Sequence, residues 1–204
     1  MNSILTVTTA ADTHDLTVLD TVKEELGRTV SATDAQLTRW IHEASTQIAS
    51  HCRRVFAAET VQEVFHGVSG ADELILSRRP VTSITSVTED DDTALAATYY
   101  EIEADTGLLY RLDGTGYRER WHASRVTVVY VGGYSLLGNL PRDIEAATVQ
   151  LVARRAFMAS RDPNLRTVQV EGVGSRSFWV SPQSETLMSD DIKALLAPYR
   201  NEMF

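Results

Sequence analysis

Between Glu59 and Val131 the chain reads as six short β-like runs, the last of them alternating with period two from Val126 to Val131, whereas on either side apolar side chains recur every third or fourth position. The change of period predicts a β region set between helices. The six runs are Glu59 to His66, Glu73 to Ser77, Val81 to Thr88, Tyr99 to Glu103, Leu108 to Leu112 and Arg125 to Val131. Reversals between them are marked by Gly67 with Ser69-Gly70, Arg79-Pro80, the acidic run from Glu89, Asp105-Thr106-Gly107 and Asp113-Gly114-Thr115-Gly116. Antiparallel pairing is the expected outcome.

Before this region, Leu16 to Gly27 has apolar Leu19, Val22 and Leu26 at helical spacing, with Thr17 and Asp20 placed as a capping box. Thr33 and Gln36 offer a second box, and Leu37, Ile41, Ala44, Ile48, Cys52 and Val55 then hold one apolar stripe. After the strand ending at Val131, Gly132-Gly133-Tyr134 and Leu140-Pro141 lead into a helix with Asp143 and Glu145 near its positive end. That helix is apolar on two sides: Ile144, Ala147, Leu151 and Met158 form one stripe, and Val149, Val152, Ala153 and Ala156 a second. Such a helix is either central to a core or shared with another subunit, and the second stripe is the expected subunit interface. Arg161-Asp162-Pro163-Asn164 stops it, a polar and glycine-containing loop runs from Val168 to Pro182, and Ser189 caps a short helix carrying Ile192, Leu195, Leu196 and Tyr199.

The predicted fold is α+β: an antiparallel helical bundle with an inserted antiparallel β region in a single domain. Residues 1–57 form N-terminal helices, 58–132 the β-rich insertion, 140–160 the central helix, and 165–204 a loop, short helix and C-terminal tail.

Composition narrows the function. The chain has 204 residues, 43% of them hydrophobic, enough for a substantial core. Nineteen basic against 28 acidic side chains give a net charge of −9, which disfavours a phosphate-gripping groove. All but two of the basic residues, Lys23 and Lys193, are arginine, which suits bidentate pairing at interfaces, although a GC-rich coding sequence produces the same bias. The single cysteine, Cys52, excludes an internal disulfide and lies on a buried stripe, where a thiol behaves as an inert hydrophobe. No secretory leader or membrane-spanning run is recognisable, so a soluble cytoplasmic product is expected.

Catalytic and metal motifs fail on inspection. Asp105-Thr106-Gly107 resembles the active loop of aspartic proteases, which would make the alternative function a small dimeric aspartic hydrolase. Its acidic approach, Glu101-Ile102-Glu103-Ala104, and ordinary turn chemistry favour a hairpin. An acidic loop starting at Asp90 places Ala94 and Leu95 where calcium coordination needs oxygen and glycine. Gly172-Val173-Gly174-Ser175 lacks the ending of a phosphate loop. The histidines have no ligand spacing. No catalytic, cofactor or metal site is assigned.

One resemblance spans most of the chain. The segments Leu16 to Lys23, Asp34 to Ile48, Val126 to Tyr134, Leu140 to Ala147 and Leu195 to Arg200, in that order, resemble the head–tail connector, or adaptor, family of long-tailed double-stranded DNA phages, prophages and gene transfer agents. The resemblance implies a non-enzymatic head-completion protein, made in the host bacterial cytoplasm and located in the virion neck. It implies a ring, commonly of twelve copies, beneath the portal protein, continuing the DNA channel toward a stopper or tail protein. Double-stranded DNA passes through without sequence-specific binding, and no membrane or cofactor is involved. It further implies portal docking by the C-terminal segment, here Tyr199, Arg200, Met203 and Phe204. Another tail-side ring protein, a stopper or tail terminator, is the nearer alternative; those are mostly β, whereas helices flank both ends here.

Overall fold

The computed structural model describes residues 2–27, 33–90, 93–136, 138–159, 167–170, 174–177 and 188–201. It is a mixed α/β chain with antiparallel sheets, and it divides into two compact units. The first comprises Met1–His14 and Val55–Asn139; the second comprises Asp15–Arg54 and Leu140–Phe204.

In the first unit, β1 (Asn2–Thr9), β2 (Glu59–His66), β4 (Val81–Glu89), β5 (Thr93–Ala94) and β9 (Arg125–Gly132) form one sheet in the order β1-β2-β9-β4-β5. A second sheet has the order β3-β7-β6, from β3 (Glu73–Ile75), β6 (Tyr100–Glu103) and β7 (Leu108–Leu112), with β8 (Arg118–Glu119) added to β7. Strict alternation gives β2 and β9 one buried face each, and Val61, Phe65, Val126, Val128 and Tyr130 meet Leu74, Leu109 and Trp121 in a common core. The expected β runs are present, with ends shifted by no more than two residues. Strand β1 is a correction, because residues 1–57 were expected to be helical before the β region. Both of its faces are largely exposed, so it carries no clear burial pattern for the sequence to reveal.

Gly132 and Gly133 fix the end of β9. A Cβ on Gly132 would lie 2.5 Å from the Arg78 carbonyl oxygen. Gly133 has φ +116°, and a Cβ there would lie 2.4 Å from the Ala57 carbonyl oxygen. The close approach lets the Tyr134 N–H donate to Phe56 O and the Ala58 N–H donate to Tyr134 O, while the Phe56 and Tyr134 rings stack at 6.5 Å.

In the second unit, α1 (Leu19–Glu25), α2 (Asp34–Cys52) and α4 (Asp190–Leu196) pack on α3 (Arg142–Ala159). The expected α2 stripe is buried from Leu37 to Cys52, and the helix ends at Arg53 in the left-handed region, φ 52°. Neither expected capping box forms. α1 starts at Leu19 behind Val18, and the Thr17 hydroxyl donates instead to Glu145 Oε1 on α3 at 3.4 Å. Thr33 makes no side-chain cap bond to α2. The Thr17 hydroxyl is engaged by a carboxylate on α3 and not by a backbone N–H of α1. Part of the expected polar loop is an antiparallel hairpin of β10 (Thr167–Val170) and β11 (Gly174–Ser177).

Candidate functional site

The surfaces of α3 bear on the expected subunit interface. Val149, Val152 and Ala156 are 7%, 0% and 3% exposed, so most of the second stripe is occupied inside the chain. Ala153 is half-buried, and it shares the exposed side with Ala146, Gln150 and Phe157 at helical spacing. Met158, expected on the first stripe, is exposed. Beside α1, this helix borders an open groove of about 500 Å³ lined by Thr21, Glu25, Arg142, Glu145, Ala146 and Val149. On another side Arg155 pairs with Glu43 and lies over the Trp40 ring, 5.7 Å from its centre, tying α3 to α2.

The C-terminal segment is anchored. The Asn201 N–H donates to the Cys52 carbonyl at 2.9 Å, satisfying an oxygen at the end of α2, and the Tyr199 hydroxyl lies 3.4 Å from Asp143 Oδ2. Tyr199 is half-buried and Arg200 exposed. Met203 and Phe204 lie outside the described residues. Cys52 is fully buried, and burial pushes its thiol above the ordinary range, partly offset by Arg54 and Arg200.

The residues with chemical potential are structural in their contacts. Asp105 is exposed in the β6–β7 turn, where the Gly107 N–H donates to Glu103 O and the Thr106 hydroxyl does the same. Asp90 accepts from the Ser124 and Arg125 N–H groups at 2.9 and 2.6 Å and so clamps the start of β9. At the β7–β8 tip, Asp113 accepts from the Thr115 hydroxyl and N–H and from the Tyr117 N–H. The Thr115 hydroxyl first, and the Tyr117 N–H next, hold its carboxyl below the usual range. This turn presents Tyr117, 75% exposed, beside Arg118, whose guanidinium stacks on Tyr110 at 3.6 Å.

Sequence reasoning missed a polar cluster in the β core. Glu63 is fully buried and accepts from the Tyr130 hydroxyl at 2.8 Å and from the Ser77 N–H at 3.0 Å, as well as from the Ser77 hydroxyl. The Arg78 N–H donates to Tyr130 at 3.0 Å, and the Arg78 side chain faces Glu59 at 3.4 Å. The signal was the β2 alternation itself: if Val61 and Phe65 point inward, Glu59 and Glu63 must do so as well. The Tyr130 phenol is raised well above its ordinary range, by burial first and the Glu63 charge second. The cluster joins β2, β9 and the segment before β4.

Among the described residues no group of His, Cys, Asp or Glu could hold a metal ion. No helix among them is long and apolar enough to cross a membrane. No curated protein matches this chain in sequence. Solved structures do match in fold. A chain from the neck of an empty gene transfer agent (GTA) particle, computed with C6 symmetry, has a TM-score of 0.58 at 17% identity, covering 98% of this chain and 97% of that one. A chain from the neck of the native GTA particle, computed with C12 symmetry, gives the same figures. One from the native GTA virion has a TM-score of 0.59 at 16% identity, again over 98% and 97%. The family profile described as "Head completion protein" matches residues 15–202, and the chain therefore belongs to the head completion protein family.

Proposed function

We propose that this chain is a non-enzymatic structural protein of a virion neck, assembling as a ring that completes the head and continues the DNA channel. The carrying observation is the head completion family match over residues 15–202, joined by a fold shared almost end to end with chains of GTA necks. The C6 and C12 symmetry of those particles supports a ring, with twelve copies the natural number for this chain. The helical unit, read as the bundle into which the β unit is inserted, forms the ring body.

In this reading α3 contributes to the subunit contact through the side carrying Ala153, while Val149, Val152 and Ala156 support that surface from within. Tyr199, Arg200, Met203 and Phe204 dock to the portal protein, and the stopper or tail protein joins the opposite end. The net charge of −9 suits a channel that lets DNA pass. Isolated protein should bind duplex DNA only weakly, and micromolar or tighter binding at physiological salt contradicts this.

The decisive experiment is localisation of the chain in purified particles by electron microscopy. Density in the portal-proximal neck is expected; a position elsewhere overturns the proposal. Exposed Arg200 provides a second test. Arg200→Glu should leave the fold intact and reduce the joining of tails to DNA-filled heads, and normal infectivity would remove the docking role.

A further inference from the structure

Strand β1 adds little to its own core. It pairs with β2 from Asn2 to Thr9, yet seven of its eight residues are exposed, Ile4 by 60% and Val7 by 40%. Ser3, Leu5 and Val7 stand opposite Phe65, Glu63 and Val61, the core-facing residues of β2. Of these three only Leu5 is partly buried against the core. β1 ends the strand order, and among the described residues no strand pairs with its outer edge.

Free strand edges are ordinarily blunted by charge, proline, bulges or short length. From Asn2 to Ala11 there is neither charge nor proline, in a chain with 23% charged residues. The single irregularity of β1 lies at its end, between Val7 and Thr9. At the other side of the same sheet, β5 pairs with β4 at Thr88 and Glu89, the Leu95 N–H donates to Val87 O, and the Val81 N–H donates to Ala104 O, which leaves the stretch between Val81 and Val87. Positions 82–86, Thr-Ser-Ile-Thr-Ser, are likewise uncharged, with Thr82, Ser83 and Thr85 exposed.

We infer that β1 of one copy pairs antiparallel with the outer edge of β4, at Thr82–Ser86, in the neighbouring copy, so that the sheet continues from subunit to subunit. The inference rests on the ring reading above and assigns it a contact. Charge selects a second copy as the occupant. At −9 per chain two copies repel wherever acidic surfaces face each other, and these two edges are neutral.

Topology sets the direction: strands alternate through β1, β2, β9 and β4, so β1 runs opposite to β4, and a copy repeated along the sheet meets it antiparallel. The contact joins two different edges. It is therefore heterologous and can close a ring, whereas β1 on β1 would stop at a dimer. Irregularities in β4 at Val81/Ser83 and Ile84/Ser86 bend its edge away from a flat strand and restrict what can pair with it.

Thr6→Cys and Thr85→Cys chains, purified separately, mixed at high concentration and treated with a short bis-maleimide, test the pairing. Fully buried Cys52 makes the wild-type chain an unreactive control. The mixture should give about tenfold more covalent dimer than either variant alone, and adding Ile4→Lys to the Thr6→Cys chain should lower the yield about tenfold, the ratio that 1.4 kcal/mol produces. Equal or greater dimer from Thr6→Cys alone shows β1-to-β1 pairing and overturns the inference. So does a mixture that gives no dimer. A particle with the chain in the neck but without this cross-link discards the edge contact and keeps the ring; the cross-link in a chain found outside the neck does the reverse.

Discussion

Tyr130→Phe removes one oxygen from the β core and leaves the ring shape unchanged. That oxygen donates to Glu63 at 2.8 Å and accepts from the Arg78 N–H at 3.0 Å. Glu63 keeps the two Ser77 donors but loses a bond to a buried charge, worth about 1.5–3 kcal/mol. The Arg78 N–H loses its acceptor, at a cost of about 1–3 kcal/mol. The expected destabilisation is therefore about 2.5–6 kcal/mol, read as a lower urea midpoint with an unchanged slope.

A second reading separates this hydroxyl from general loosening. The Tyr130 phenol is raised in the folded state, so the folded chain keeps a proton that the unfolded chain releases above about pH 10. Its contribution is complete below that pH and is lost as pH rises toward the folded value, at up to about 1.4 kcal/mol per pH unit. Tyr130→Phe should lack this component of the alkaline decline. A variant within about 0.5 kcal/mol of wild type, with the same alkaline slope, refutes the network argument.

Gly133→Ala forces a side chain into a positive-φ position 2.4 Å from the Ala57 carbonyl and should cost at least about 1–3 kcal/mol by urea unfolding; wild-type stability would contradict the close approach. Cys52 should resist thiol reagents in the native chain and react once the chain is unfolded in urea, and rapid native labelling would contradict its burial. The lowered Asp113 carboxyl contributes to the β7–β8 tip above its unfolded pKa, about 3.9, and that contribution is lost as pH falls through the lower folded value. Asp113→Ala should increase amide hydrogen exchange at Thr115 and Tyr117, and unchanged exchange would contradict the turn geometry.

The strands were legible where one face is buried and the other wet. β2 and β9 lie within one residue of their expected ranges and alternate in burial from position to position, and the α2 stripe from Leu37 to Cys52 records the same asymmetry at helical period. β1 escaped for the complementary reason, since a strand exposed on both faces leaves no such record. The Thr17 capping box failed because Glu145, 128 residues away, supplies the partner, and spacing along one segment cannot reveal it. On α3 the two apolar stripes were visible, but which neighbour covers the second was not: Val149, Val152 and Ala156 are buried within the chain. The exposed Asp105 turn was readable from Asp-Thr-Gly because its geometry is local, whereas Tyr130 could be placed beside Glu63 only through strand register.

The polar cluster and the free edges belong to one mechanical argument. Glu63 lies on β2, the strand that carries β1, and its Ser77 partner lies just before β4, with Tyr130 of β9 between them. Those bonds hold the two outer edges of one sheet in a fixed relation, and a sheet that continues between copies needs that relation constant from copy to copy. Tyr130→Phe should consequently lower the yield of the Thr6→Cys to Thr85→Cys cross-link although it touches neither edge, under conditions where the chain remains folded. If the variant loses stability yet cross-links at the wild-type yield, the cluster supports the fold alone, and the position of the β4 edge is set by its pairing with β9.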